Sequence, residues 1–231
     1  MRTIIVIIMC IHCFQYNQAQ IYEIGVLTGG LNIISDVGST AYVKPNQVAI
    51  GGLLKWNRSP RHSWRVSMIY GDLSANDLNS NDPRRQERGY GFESTILEVS
   101  AGMEFTFFDF NLHLDEDLIT PYLYTGISIA YHNNFYFTDG VPTLENTSSW
   151  AYGIPLILGV KAKIFDHFVF GAEVGVRYTF SDEIDGSVPD SKSLQETYSF
   201  GNLNNNDWYT FSGVTITYTF GRKPCYCSYD E

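Results

Sequence analysis

Apolar and polar residues alternate with a period of two through most of the chain, which is the pattern of half-buried β-strands. No stretch after residue 20 approaches the roughly 20 apolar residues that a membrane-spanning helix needs. The alternation predicts an all-β protein with an even number of strands. Eight segments follow it, at residues 22–30, 48–56, 63–71, 95–107, 122–132, 150–164, 168–180 and 208–220.

The connections between these segments alternate in length. Those at 57–62, 109–120 and 165–167 are short or moderate, whereas those at 31–47, 72–90, 133–149 and 181–207 are longer. The longer ones are rich in Asn, Asp, Ser and Gly, as surface loops are. Short turns at one end and long loops at the other are typical of outer-membrane β-barrels, whose long loops face outward.

The polar face of the predicted strands carries Gly, Ser and Thr with isolated charges of both signs. A soluble β-sandwich also alternates, but its polar face is wet and usually rich in Lys, Glu and Thr. Interspersed opposite charges among small residues instead suit a narrow lumen, where each buried charge needs a partner. The predicted structural charge network of this lumen comprises Glu23, Lys55, Arg65, Glu98, Glu104, Lys161, Lys163, Glu173 and Arg177.

Aromatic residues cluster towards both ends of the apolar face. Trp64 and Tyr70 on one segment, and Phe168 and Tyr178 on another, match the girdles that lie at bilayer interfaces. In lipid a sheet must close, because an open edge leaves backbone groups unpaired. We therefore predict an eight-stranded antiparallel transmembrane β-barrel, whose interior is narrow enough for side chains to fill.

The first 20 residues have the layout of a secretory signal peptide, with a basic start, an apolar run at 4–13 and a small polar exit. A buried N-terminal helix is the alternative. The predicted plan is a signal peptide at 1–20, a barrel at 21–221 and a periplasmic tail at 222–231. The tail holds Cys225 and Cys227, which could form a local disulfide but cannot make a metal site alone.

Composition excludes several classes of protein. A net charge of −10 argues against a nucleic-acid partner, because phosphate binding needs a basic face. The aromatic content of 15% is too high for a disordered chain. Only 17% of the residues are charged, against about 25% in ordinary soluble domains. This scarcity fits a chain whose apolar surface is spread around a barrel.

Catalytic and metal-binding patterns are weak. An envelope hydrolase needs Ser, His and an acid together, and only His132 has acids expected near it, namely Asp139 and Glu173. We expect no enzyme activity. The acidic loop residues Asp182, Glu183, Asp185 and Asp190 lack calcium-loop spacing, which favours a solvated loop. The cluster at 84–88 could meet lipopolysaccharide phosphates, although a solvated mixed-charge loop is favoured. No cofactor or metal is expected.

Five segments carry a resemblance to a known family: YEIG at 22–25, KWNRSPRH at 55–62, EVSAGMEF at 98–105, TPYLYTG at 120–126 and YTFGRKPC at 218–225. Together they resemble the PorG-like outer-membrane barrels of Bacteroidetes, components of the type IX secretion system. The resemblance implies a non-enzymatic outer-membrane protein of a Gram-negative bacterium. It also implies an anchor for a periplasmic ring of lipoprotein and partner subunits, supporting export of proteases and gliding adhesins.

A ring that docks from the periplasm would meet the short turns and the tail. The alternative function is a stand-alone small barrel that acts as an adhesin or envelope-stabilising protein through its extracellular loops. The expected partners are periplasmic ring subunits, outer-membrane lipid and lipopolysaccharide, with no nucleic acid. The residues expected to support periplasmic docking are Asn57, Arg58, Arg61, Asp115, Arg222 and Lys223.

Overall fold

The eight alternating segments form the strands of a closed barrel. The computed structural model describes residues 21–113, 116–202 and 205–221. Every strand pairs antiparallel with the next, and the pairing of the first strand with the last closes the ring, which confirms the predicted fold class. The strands are β1 (Ile21–Ile34), β2 (Gln47–Ser59), β3 (His62–Asn76), β4 (Gly91–Thr106), β5 (Leu118–Thr138), β6 (Val141–Phe165), β7 (Phe168–Thr179) and β8 (Trp208–Gly221).

The two faces of the strands differ as the alternation predicts. The outward face carries large exposed apolar side chains, among them Val66, Leu158 and Val214, with Trp64 and Trp150 on the same surface. An apolar belt of this extent does not occur on ordinary soluble monomers. In the described residues, no helix is both long and apolar enough to cross a bilayer. The described helices are short ones in the long connections, α1 (Pro83–Arg88) and α2 (Lys192–Tyr198).

The strands β5 and β6 contradict the predicted loop at 133–149. They continue beyond the other strands as a hairpin, in which Phe135 pairs with Leu144 and Thr138 with Val141. Its turn is Asp139-Gly140, and both residues have positive φ, 52° and 83°. Two-residue turns of this kind match the twist of paired strands and favour Asp-Gly. The loop prediction was wrong because it relied on the polar composition of the segment and did not take the Asp-Gly turn into account.

The barrel interior is divided along its axis. The half next to the long connections holds an apolar core that includes Leu31, Leu73, Phe92 and Phe135. The half next to the short turns is mainly polar and charged. At its base, Phe110 and Leu112 of the β4–β5 turn are buried against Ile21 and Val169. Side chains therefore fill the lumen at both ends, as the strand number predicts.

Candidate functional site

All nine charged residues predicted to face the lumen are buried inside the barrel. Glu104 of β4 lies at the centre of one group. Its Oε1 is 2.7 Å from Lys161 Nζ of β6, and its Oε2 is 2.8 Å from Lys55 Nζ of β2. Arg65 Nη1 of β3 is 3.8 Å from the same Oε2 atom. One carboxylate therefore joins three other strands.

A second group joins opposite walls of the barrel. Arg65 donates two hydrogen bonds to Glu173 of β7, of 2.7 and 2.9 Å, in the planar fork-to-carboxylate geometry. The Tyr122 hydroxyl donates to Glu173 Oε2 at 2.6 Å. The Arg65 guanidinium also lies 5.0 Å from the centre of the Tyr124 ring. The buried ion pair is thereby surrounded by aromatic side chains that contact both of its charges.

A third group lies nearer to the apolar core. Arg177 Nε donates to Glu98 Oε2 at 3.0 Å, and the Tyr209 hydroxyl donates to the same oxygen at 2.6 Å. The Arg177 Nη1 atom donates to the Gly175 carbonyl at 2.8 Å. The charge network predicted from the sequence did not include Tyr122 and Tyr209. Their position in the alternation was the signal that could have found them.

The two remaining charged residues, Glu23 and Lys163, lie at the base of the lumen, next to the short turns. The Asn57 amide nitrogen donates to Glu23 Oε1 at 2.8 Å, and the Thr217 hydroxyl donates to Glu23 Oε2 at 2.5 Å. The Asn57 side-chain oxygen accepts from the Ser63 hydroxyl at 2.6 Å. Asn57 is therefore half-buried at the base of the lumen, where it contacts Glu23 and Ser63. Its side chain points inward because it continues the inner face of β2.

The exposed docking candidates lie on the β2–β3 turn. Arg58 is exposed, with its guanidinium carbon 5.9 Å from the centre of the Trp56 ring. Arg61 Nε is 2.5 Å from Asp109 Oδ1, and both side chains are largely exposed. The other docking candidates (Asp115, Arg222 and Lys223) and the predicted signal peptide, tail and cysteine pair lie outside the described residues.

The structure does not bring His132 together with its predicted acidic partners. His132 is buried on the inner face of β5. Asp139 lies at the exposed hairpin turn, and Glu173 is engaged by Arg65 and Tyr122 in the other half of the lumen. Within the part of the chain that the structure describes, no group of three or more His, Cys, Asp or Glu residues is placed to hold a metal ion.

A comparison with protein families settles the relationship of the chain. The family model described as a domain of unknown function, DUF6089, matches residues 2–229. The chain belongs to the DUF6089 family. No curated protein sequence matches it.

Among solved structures, the DUF6089 chain is similar to three bacterial proteins of low sequence identity. Ail, the attachment invasion locus protein of Yersinia pestis, in complex with the heparin analogue sucrose octasulfate, has 11% identity and a TM-score of 0.48, covering 88% of this chain and all of that one. A major outer membrane protein of Thermus thermophilus has 12% identity and a TM-score of 0.45, with coverage of 88% and 100%. OprG of Pseudomonas aeruginosa has 10% identity and a TM-score of 0.43, with coverage of 88% and 96%.

The long connections of this DUF6089 protein close the outer mouth of the barrel. Buried Asp77 accepts two hydrogen bonds from Arg88, of 2.7 and 3.0 Å, and one from the backbone N–H of Gly38 at 2.8 Å. Arg85 donates to the carbonyls of Ser35 and Gly38. The prediction of a solvated basic cluster at 84–88 is therefore wrong for Arg85 and Arg88, because their guanidinium groups tie the second connection to the first.

The acidic connection between β7 and β8 is also only partly solvated. Asp185 is fully buried, and its carboxylate accepts from the backbone N–H groups of Asp36 at 2.9 Å and Ser187 at 2.8 Å. Asp207 is buried too and accepts from the N–H of Ile184 at 3.0 Å. The expectation of a solvated loop is therefore wrong for Asp185, whose carboxylate holds the backbone of two connections.

The β7–β8 connection of the DUF6089 protein should loosen as the pH rises through neutrality. Burial raises the pKa of Asp182 from its ordinary 3.8 to about 7. The carboxylates of Asp185, Asp36 and Glu183 contribute to the same rise. Since the folded state holds the proton more tightly than the unfolded state, the stabilisation is complete below pH 3.8 and is lost progressively as the pH rises from there through about 7. Hydrogen exchange of residues 180–202, corrected for intrinsic rates, should therefore increase between pH 6 and pH 8.

The control for this measurement is Asp182→Asn, which cannot ionise and keeps the shape of the side chain. Because burial also raises the pKa of Glu183, Asp185 and Asp207, the variant should still show a rise in corrected exchange, but a smaller one than wild type. An equal rise in exchange in both proteins would contradict the assignment to Asp182.

Proposed function

We propose that the protein is a non-enzymatic outer-membrane component of a type IX protein secretion system, where it anchors the periplasmic ring complex to the membrane. The observation that carries the proposal is the lumen filled at both ends. A barrel plugged by Phe110 and Leu112 at its base, and by an apolar core above, offers no conduit for a folded or unfolded polypeptide. Its contribution to secretion would then come from its surfaces.

The exterior supports placement in the outer membrane. Large apolar side chains form a belt around the outside of the barrel, and ring closure leaves no sheet edge within the belt. In such barrels the short turns face the periplasm. The β2–β3, β4–β5 and β6–β7 turns would then be available to periplasmic subunits.

The interior supports an anchoring role. Glu104, Glu173 and Glu98 link strands that are not neighbours in the sheet, so the cross-section is braced in several directions. A braced barrel gives an attached complex a fixed base in the membrane. The resemblance of five sequence segments to the PorG-like barrels then indicates which complex is attached.

A stand-alone adhesin is the second candidate, favoured by the β5–β6 hairpin. This hairpin extends past the other strands and exposes Val141 and Leu144. Exposed apolar side chains on a projecting element suit contact with another protein. Under this reading, secretion would not depend on the protein.

Deleting the gene should abolish secretion of type IX cargo and should separate the periplasmic ring from isolated outer membranes. Reintroducing the wild-type chain, or a Val141→Ser/Leu144→Ser variant that changes only exposed hairpin side chains, should restore both. Normal cargo secretion in the deletion strain would contradict the anchor proposal. Normal secretion accompanied by loss of surface adhesion would favour the adhesin.

A further inference from the structure

Two of the three periplasmic turns are joined into one unit. The Phe110 N–H of the β4–β5 turn donates to the Pro60 carbonyl of the β2–β3 turn at 2.9 Å. The Thr106 hydroxyl donates to the same carbonyl at 3.0 Å, and the Thr106 N–H donates to the Arg61 carbonyl at 3.0 Å. The exposed Arg61–Asp109 pair adds a contact between the side chains of the two turns.

This joined pair of turns is fixed to the barrel from inside. Phe110 and Leu112 are buried in the base of the lumen, and Lys161 Nζ lies 4.6 Å from the centre of the Phe110 ring. The third turn is attached elsewhere, since the His167 carbonyl accepts from the Thr219 N–H of β8 at 2.7 Å. The β2–β3 turn is therefore a preorganised surface, and preorganisation lowers the entropic cost of binding.

Charge is distributed unevenly around the described periplasmic rim. The exposed basic side chains, Arg58 and Arg61, both belong to the β2–β3 turn. Within the described residues Arg58 forms no ion pair, and its guanidinium lies against Trp56. The exposed acids of the other two turns are Asp109, Glu116, Asp117 and Asp166.

We propose that the β2–β3 turn, held rigid by the β4–β5 turn, docks an acidic surface of a periplasmic ring subunit. This inference rests on the proposed function and specifies its contact. An acidic partner surface is complementary in charge to this turn. The exposed guanidinium of Arg58 can donate two hydrogen bonds to one carboxylate of that surface. Arg61 lies in the same turn as Arg58. Its guanidinium can contact a carboxylate of the partner while it keeps its contact with Asp109. The turn supplies both groups on a backbone that does not need to reorganise.

Cross-linked recovery of the ring from outer membranes tests the proposal. Arg58→Glu and the Arg58→Glu/Arg61→Glu pair should reduce recovered ring subunits, the double variant by about tenfold, since two attractive contacts become repulsive. Arg58→Lys/Arg61→Lys, which keeps the charge, should lose much less. The matched control Asp166→Lys, an exposed charge reversal on the third turn, should recover as much ring as wild type. Heat-shifted electrophoretic migration verifies that each barrel is folded.

The outcomes separate this proposal from the proposed function. If wild type recovers the ring and folded Arg58→Glu recovers as much, the docking surface is wrong and the anchoring role stands. If wild type itself recovers no ring subunit, the anchoring role fails and this inference with it. Charge reversal could instead alter only insertion into vesicles of anionic phospholipid and leave ring recovery unchanged. In that case the two arginines bind lipid phosphates, and the docking proposal is overturned.

Discussion

Replacing Glu104 with alanine should remove a large part of the stability of the barrel. In the wild type, the Nζ atoms of Lys55 and Lys161 lie 2.8 and 2.7 Å from the Glu104 carboxylate, and Arg65 lies close by. The substitution removes this carboxylate and leaves the two ammonium groups buried. Removing one partner of a buried ion pair costs about 3–5 kcal/mol, because the other charge stays desolvated. Whole proteins have about 5–15 kcal/mol of stability. The urea midpoint of the refolded variant in detergent should therefore fall far below that of wild type.

The matched controls separate charge from volume. Glu104→Gln keeps the volume and loses the charge, so it should also be strongly destabilised. The triple variant Lys55→Met/Lys161→Met/Glu104→Leu removes the buried charges together, and it should recover much of the loss, since apolar replacement of a whole ionic group is often tolerated. A midpoint for Glu104→Ala equal to that of wild type would show that water reaches the cluster.

Gly126→Val should prevent the barrel from closing at β4 and β5. Gly126 faces Gly102 directly in the register of these strands. A Cβ atom at Gly126 would overlap the carbonyl oxygen of Ala101 and the Gly102 Cα, and both are backbone atoms that cannot rotate away. Overpacking that displaces backbone costs typically about 1–3 kcal/mol and occasionally more. The variant should run as an unfolded band in unheated electrophoresis, with little protein in the outer membrane.

Gly52→Ala is the matched control for this prediction. A Cβ atom at Gly52 would meet only the Gly25 carbonyl, at an ordinary contact distance of 3.7 Å. This variant should fold like wild type, with stability changed by about 0.5 kcal/mol or less. Equal folding of both variants would contradict the role assigned to the paired glycines.

The period of two was sufficient to predict the number of strands, their inner faces and the residues of the charge network, but not the β5–β6 extension. It could not predict the pairs, because each one depends on how the barrel closes. Arg65 and Glu173 are 108 positions apart and meet only across the lumen. The alternation shows that both face inward, whereas strand tilt and stagger decide which charges lie at the same height.

The sequence was less informative about the connections. The β4–β5 turn contains an acidic run, which indicates a solvated segment, yet Phe110 and Leu112 in the same turn are buried in the lumen. Likewise, Asn57 was expected on the docking surface and lies at the lumen base. In both cases the side-chain direction is set by contacts between segments that are far apart in the chain. Local composition contains no information about those contacts.

The cross-lumen pairing has a consequence for the order in which the chain can assemble. Arg65 arrives on β3 and meets Glu104 of β4 at 3.8 Å, but Glu173, to which it donates two hydrogen bonds, arrives only with β7. Glu98 arrives on β4, whereas its partners Arg177 and Tyr209 arrive with β7 and β8. A sheet of the first four strands would carry these charges without their partners, and its entry into lipid would be expensive. Insertion of the finished cylinder is much less costly. In a bilayer, the network would therefore disfavour incomplete barrels, and membrane entry would depend on completion of the last strand.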